Sequence, residues 1–335
     1  MNKPLRWALL GASDVASTRM IPAMRALGHS VDVVQSSSSE WAEQFAQTHS
    51  IDSATAEIEK AIDSPVDAVY ISSYNDLHYS HAVAALSAGK HVLCEKPMAL
   101  SIDEAEKMAA TAEEAGLILA VNHHLPFSPI HRATREAAES GRIGRVLSAR
   151  ISHAVLLPER LRGWRMGEAR GGGVALDITC HDASVLNPLL GRARRVAAMG
   201  VQVADWNSGT ADDAVMTVLE YEKDGHRSLA QTHDAFNVGF ETTSLTVHGM
   251  EGTLIARNAM TQDSVGSLEL VTAKGSEELP VELGQDLYEI ILDAFAGATE
   301  GNGAPTVSGR QGVETLRVAL ATLETINTGR TVDLD

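Results

Sequence analysis

The chain has 335 residues, enough for two domains that each bury their own core. Its formal net charge of −17 argues against nucleic acid as a partner, because neutralising phosphates takes clustered Lys and Arg. No apolar run approaches the length of a membrane span, so no membrane association is expected.

The N-terminus runs into a strand pattern with no basic and apolar leader ahead of it. Cys94 and Cys180 lie far apart and lack metal-type spacing, so we read a reducing, cytoplasmic compartment without a disulfide. Among the 13 histidines, His78 and His81 stand three apart and His123 and His124 are adjacent, but no third ligand accompanies either pair. No metal site is expected.

The first strand is predicted over 5–10. It runs into Gly11-Ala12-Ser13-Asp14-Val15-Ala16, which opens a helix over 16–27 that Pro22 kinks or splits. That is the place of a phosphate-binding turn. Gly11 and Ala16 fit the G-x-G-x-x-G/A pattern, while Ser13 replaces the glycine that lets backbone approach a pyrophosphate. A second strand over 31–34 exits into Gln35-Ser36-Ser37-Ser38, and a helix follows over 39–47. NAD enzymes usually carry an acid at this exit for the ribose 2′-hydroxyl. Here Asp32 lies mid-strand, and Ser36 and Ser37 can hydrogen-bond a 2′-phosphate, so NADP(H) is favoured over NAD(H). Trp41 occupies the place where a cation would help and could instead stack on adenine or pack as helix surface.

A third strand over 68–72 leaves through the polar turn Ser72-Ser73-Tyr74-Asn75-Asp76-Leu77-His78, from which Ser73, Asn75 and His78 are candidate cofactor contacts. A helix over 79–88 ends at Gly89. The fourth strand, 91–94, ends in Glu95-Lys96-Pro97. Strand exits face the ligand crevice in a parallel α/β sheet, so Lys96 is placed where chemistry occurs. Ser101-Ile102-Asp103-Glu104 is a capping box for a helix to Gly116, and a fifth strand follows over 117–121. Repeated βα units predict an N-terminal doubly wound parallel sheet, a Rossmann domain over 1–122.

After Asn122 the texture changes. A helix over 129–140 precedes alternating runs at 146–153, 196–203, 214–221, 228–233, 244–249 and 267–271, and helices over 287–298 and 310–328 close the chain. These predict an α+β second domain over 123–335 with a large, mostly antiparallel sheet, whose open face could pair between subunits. Gly171-Gly172-Gly173 precedes Asp177 and His181, which a helix would place four apart on one face, within reach of one ligand.

The Gly11 turn, the Glu95-Lys96-Pro97 triplet and Asp177-x-x-x-His181 together resemble the glucose–fructose oxidoreductase/inositol dehydrogenase (Gfo/Idh/MocA) family, and the similarity covers essentially the whole chain. Around Asn122-His123-His124-Leu125, His153-Ala154-Val155, Gly163-Trp164-Arg165, His233-Asp234-Ala235-Phe236 and Val247-His248-Gly249 it resembles a keto-sugar reductase branch. The resemblance implies NADPH-dependent hydride transfer to the ketone of a keto-sugar. It implies Lys96, Asp177 and His181 as catalytic residues, with His181 the acid, Lys96 polarising the carbonyl and Asp177 orienting hydroxyls or His181. His153 and Trp164 join these three on the substrate, and Glu95, Lys96, Asn122, Trp164, Arg165 and Tyr288 join the cofactor site. Two alternatives stay open: a sugar or inositol dehydrogenase running oxidatively, and a sensor that binds a dinucleotide without turnover.

Overall fold

The computed structural model describes residues 2–334. In chain order the regular elements begin with β1 (Arg6–Leu10), α1 (Ile21–Ala26), β2 (Ser30–Gln35), α2 (Ser39–His49), β3 (Ser53–Thr55), α3 (Ile58–Ile62), β4 (Ala68–Ile71), α4 (His78–Ser87), β5 (His91–Cys94), α5 (Ile102–Ala115) and β6 (Leu119–Val121). There follow α6 (Pro129–Glu139), β7 (Val146–Ala154), α7 (Cys180–Leu190), β8 (Arg192–Val201), β9 (Ala214–Lys223), β10 (His226–Ala235), β11 (Ser244–Gly249), β12 (Gly252–Arg257), β13 (Ser267–Thr272) and β14 (Gly275–Leu279). The chain closes with α8 (Leu287–Thr299), α9 (Gly309–Thr328) and β15 (Val332–Asp333).

The first compact unit is the chain up to His123 together with Tyr288–Glu314. Six parallel strands lie in the order β3-β2-β1-β4-β5-β6. The order reverses between β1 and β4, the switch point at which doubly wound sheets bind ligands. Strands β4 and β5 are buried on both faces or nearly so, as the short apolar runs at 68–71 and 91–94 require. Helix α5 starts on the predicted capping residue: Ser101 Oγ accepts from the Glu104 amide, and Gly116 in the left-handed region ends it. The predicted 16–27 helix is divided, with a π-turn over Ala16–Met20 running into α1 at Pro22. Segment 288–314, which the sequence reading leaves in the second half, packs in this unit. Tyr288, Ile291, Leu292 and Phe295 of α8 share its core with Trp7, Leu9 and Tyr70.

The second unit is His124–Leu287 with the chain from Thr315 onward. Its nine-stranded sheet has the order β14-β13-β12-β11-β7-β10-β9-β8-β15, antiparallel except for the β7/β10 pair. Strands β12, β14 and β15, and β3 with α3 in the first unit, are absent from the sequence reading, being short or weakly alternating. One sheet face packs with Leu186, Leu189, Val318 and Ala321 into the core. The opposite face carries Met199, Met216, Val218 and Leu229, all exposed, with Met199 directly opposite Met216. No described helix is long and apolar enough to cross a membrane, and the described residues hold no cluster of metal-ligating side chains.

Candidate active site

Strand register in the first unit brings the predicted residues into one row. Leu10, Ile71, Cys94 and Val121 are cross-strand partners, and Gln35 pairs with Leu10. The next residues along, Ser36, Gly11, Ser72, Glu95 and Asn122, therefore leave the sheet side by side. Gly11 has φ +120°, and a Cβ on it would stand 2.5 Å from the backbone of Ser72 and Ser73, so only glycine fits against β4 here. Ser13, where a second glycine was expected, does specific work. Its Oγ donates to Ser72 Oγ at 2.8 Å and accepts from the Ala16 amide at 3.1 Å, capping the helix and tying the turn to the β4 exit. Ala12, Asp14 and Val15 complete this helix opening, where backbone N–H groups favour a phosphate.

At the β2 exit Ser36 is buried and Ser37 exposed. Asp32 is held by Arg6, whose Nε donates to it at 2.7 Å, so it does not reach the strand tip. The donor set therefore fits a nicotinamide dinucleotide with or without a 2′-phosphate. Trp41 is 48% exposed, and its indole N–H donates to the Ala12 carbonyl at 3.3 Å, laying the ring across the glycine turn.

Glu95 is fixed from two sides: the Tyr70 hydroxyl donates to Oε1 at 2.6 Å, and Asn122 Nδ2 donates to the same oxygen. Burial and the neighbouring Glu95 carboxylate lift the Tyr70 phenol well above its usual value, so it stays a donor. Lys96 follows, half-buried, at a cis peptide to Pro97. His123 is fully buried; burial, with the Lys96 charge, pushes its pKa down to about 3, so it is neutral. Ser73 Oγ meets His81 Nδ1 at 3.1 Å, and Asn75 is buried in the turn that follows. His78 is fully buried with its ring nitrogens 2.8 and 3.1 Å from the carbonyls of Pro97 and Ser73. It ties two strand exits together rather than facing outward. Tyr288 is likewise a core residue at 1% exposure.

In the second unit the Gly171–Gly173 run wraps under the segment bearing Arg165. The Gly173 amide donates to the Arg165 carbonyl at 2.8 Å, and a Cβ on Gly172 would lie 2.6 Å from the carbonyls of Arg165 and Gly167. Asp177 sits in a π-turn over Ala175–Thr179 that leads into α7, rather than in a regular helix. Such turns are frequent at functional sites. Arg165 pairs with Asp177 (Nε to Oδ2, 3.3 Å) and lies over the Trp164 ring, so the two residues first assigned to the cofactor are coupled to a catalytic candidate. His181 stands beside two other imidazoles, with ring centroids 4.9 Å from His124 and 6.2 Å from His153. His153 Nδ1 is 2.7 Å from Asp182 Oδ1. Sequence reasoning missed Asp182 and Asp234; the available signal was a charge at an inward-facing position of β10, where its neighbours Ala230 and Thr232 are buried.

Comparison with known proteins covers both units. Residues 5–123 match the oxidoreductase family with an NAD-binding Rossmann fold, GFO/IDH/MocA, and residues 131–255 match the GFO/IDH/MocA C-terminal domain. The chain is 42% identical over 332 residues to 1,5-anhydro-D-fructose reductase of Ensifer adhaerens, covering 98% of each. It is 29% identical to D-xylose 1-dehydrogenase (NADP(+)) 2 of Haloferax volcanii, over 99% of this chain and 100% of that one. The crystal structure of aldose-aldose oxidoreductase from Caulobacter crescentus superposes with a TM-score of 0.88 at 23% identity, over 99% and 100% of the two chains, which is a likeness of fold.

Proposed function

The chain belongs to the GFO/IDH/MocA oxidoreductase family, and on that premise we propose that it reduces a keto-sugar with NADPH, its substrate being 1,5-anhydro-D-fructose and its product 1,5-anhydro-D-mannitol. What carries the reading is its full-length similarity to the Ensifer reductase, with Lys96, Asp177 and His181 all present. The serine exit of β2, free of any carboxylate at its tip, supports NADPH over NADH. When bound, the nicotinamide supplies the hydride.

The chain's residues do the rest. Gly11 to Val15 bind the diphosphate through backbone N–H groups, and Ser36 and Ser37 bind the adenosine ribose. Ser73, Asn75, His78, Glu95, Asn122 and Tyr288 form the pocket for the nicotinamide half. Lys96 donates to the ketone oxygen and stabilises the negative charge that develops there. His181 delivers a proton to that oxygen, a task suited to imidazole because it titrates near neutral pH. Asp177, held by Arg165, orients substrate hydroxyls, and Trp164 and His153 complete the substrate contacts.

The test is oxidation of NADPH and of NADH with 1,5-anhydro-D-fructose beside a panel of 2-keto sugars and an inosose. The expected result is rapid turnover with NADPH and anhydrofructose. Turnover on another keto-polyol alone would replace the substrate. NAD+-dependent oxidation of sugars or inositols without ketone reduction would favour the dehydrogenase alternative. Tight cofactor binding without turnover would favour a sensor.

We also propose residence in the cytoplasm, in keeping with two buried thiols, and self-association through the open sheet face around Met199, Met216, Val218 and Leu229. Light scattering is expected to give a dimer or larger species that Met216→Glu converts to monomer. A wild-type monomer at all concentrations would refute it.

A further inference from the structure

We propose that Asp182 and Asp234 share a single proton, and that the one anion they hold fixes the ring of His153 as a positioning group of the site. Both carboxyls have no exposed surface. Asp182 Oδ1 meets His153 Nδ1 at 2.7 Å. Asp234 Oδ2 accepts from Thr179 Oγ1 at 2.6 Å and Thr232 Oγ1 at 3.1 Å, and Thr232 is joined in turn to Thr217 at 2.8 Å. The two carboxyls interact, and the buried Asp182 Oδ2 and Asp234 Oδ1 have no hydrogen-bond partner. Ionised carboxylates only accept, so two anions would leave both oxygens orphaned, whereas one shared proton satisfies both.

Charge balance leads to the same state. Among the described residues no Lys or Arg ion-pairs with either carboxyl. Two anions facing one imidazole in a fully buried site would be heavily penalised. Burial pushes Asp182 up to about 7, and burial together with Asp182 raises Asp234 well above the usual carboxylate range. The anion is assigned to Asp182 because that carboxyl faces His153 Nδ1 at 2.7 Å, which leaves the proton on Asp234. The other titratable groups around the pair leave this assignment intact. Tyr221 of β9 stays a neutral phenol, raised by burial and by Asp182. His131 of α6 is neutral, its pKa pushed down to about 4 by burial. Asp177 is matched by Arg165. His124 and His181 are the remaining imidazoles.

The anion at Asp182 requires a proton on His153 Nδ1 and so fixes which nitrogen His153 presents elsewhere. Its kinetic consequence rests on the reductase reading; the shared proton does not. Asn at 234 mimics a protonated carboxyl and leaves the anion on Asp182. Asn at 182 can still accept from His153 and donate to Asp234, but it moves the anion one carboxyl further from the ring.

The measurement is an NMR pH titration of the histidine ring protons in wild type, Asp182→Asn and Asp234→Asn, with His153 assigned by His153→Gln and folding checked by thermal melts. An opposite charge at this range typically shifts an imidazole by one pH unit or more, so the His153 midpoint should fall by about one unit or more in Asp182→Asn. It should remain near wild type in Asp234→Asn. Equal shifts in both variants, or none in either, would overturn the proposal. Should a variant fail to fold, infrared spectroscopy of the wild type decides: a protonated carboxyl band at neutral pH is expected, and its absence overturns the pair. Neither readout needs turnover, so a failed substrate panel would sink the reductase reading alone. If turnover is found, the alkaline limb of kcat/KM should move to lower pH in Asp182→Asn and stay put in Asp234→Asn.

Discussion

Replacing Lys96 by methionine is expected to lower kcat/KM for ketone reduction by about 10²–10³-fold, or about 2.7–4 kcal/mol of transition-state stabilisation. Methionine keeps most of the side chain's length and volume and removes the charge. The loss should fall on the chemical step, because charge on the ketone oxygen grows only as the hydride arrives. Lys96 suits this task because its surroundings are fixed. The preceding Glu95 is held by Tyr70 and Asn122, and the neighbouring His123 is kept neutral by burial, so it offers no competing cation. Steady-state kinetics over pH, with NADPH affinity measured separately by fluorescence, checks the prediction. A fall under tenfold would remove Lys96 from the centre of the reaction.

The second large effect is expected from His181→Asn. Positioned proton transfer typically contributes about 10²–10⁴-fold, and kcat should fall within that range while cofactor affinity holds. The sign with pH follows from the role. An acid must be protonated, so wild-type activity is present at low pH and lost as pH rises through the imidazole's titration. The variant should lack that alkaline limb. Asparagine approximates the ring's shape and hydrogen-bonding edge, so contacts with His124 are disturbed less than by alanine. A variant with wild-type kcat and an unchanged pH profile would show that the proton comes from another group.

These two residues were legible in the sequence for different reasons. Lys96 follows a four-residue apolar run between a glycine and a proline, and a parallel sheet sends every such exit to the same end. The register then does what the pattern implies, aligning Ser36, Gly11, Ser72, Glu95 and Asn122. His181 was visible through its spacing from Asp177, although the backbone there is a π-turn rather than the regular helix expected. Tyr288 and His78, cofactor candidates in the sequence, are buried side chains at 1% and 0% exposure. A lone Tyr or His carries no periodicity of its own, and only packing tells which way it points.

By itself the sequence determined the βα alternation, the change to a sheet-rich second half, the polar residues at each strand exit and the Asp177/His181 spacing. All of these are local, set by hydrophobic period, turn residues and short separations. Only the tertiary structure decided that Arg165 serves Asp177, that Ser13 stitches the glycine turn to Ser72, that α8 packs beside β1 and β4, and that Asp182 and Asp234 are buried together. His153 and Asp182 are 29 residues apart, and Thr179 and Asp234 are 55 apart. Such pairs depend on strand register and on which faces are buried. A carboxyl's protonation state follows from that burial, which no local pattern encodes.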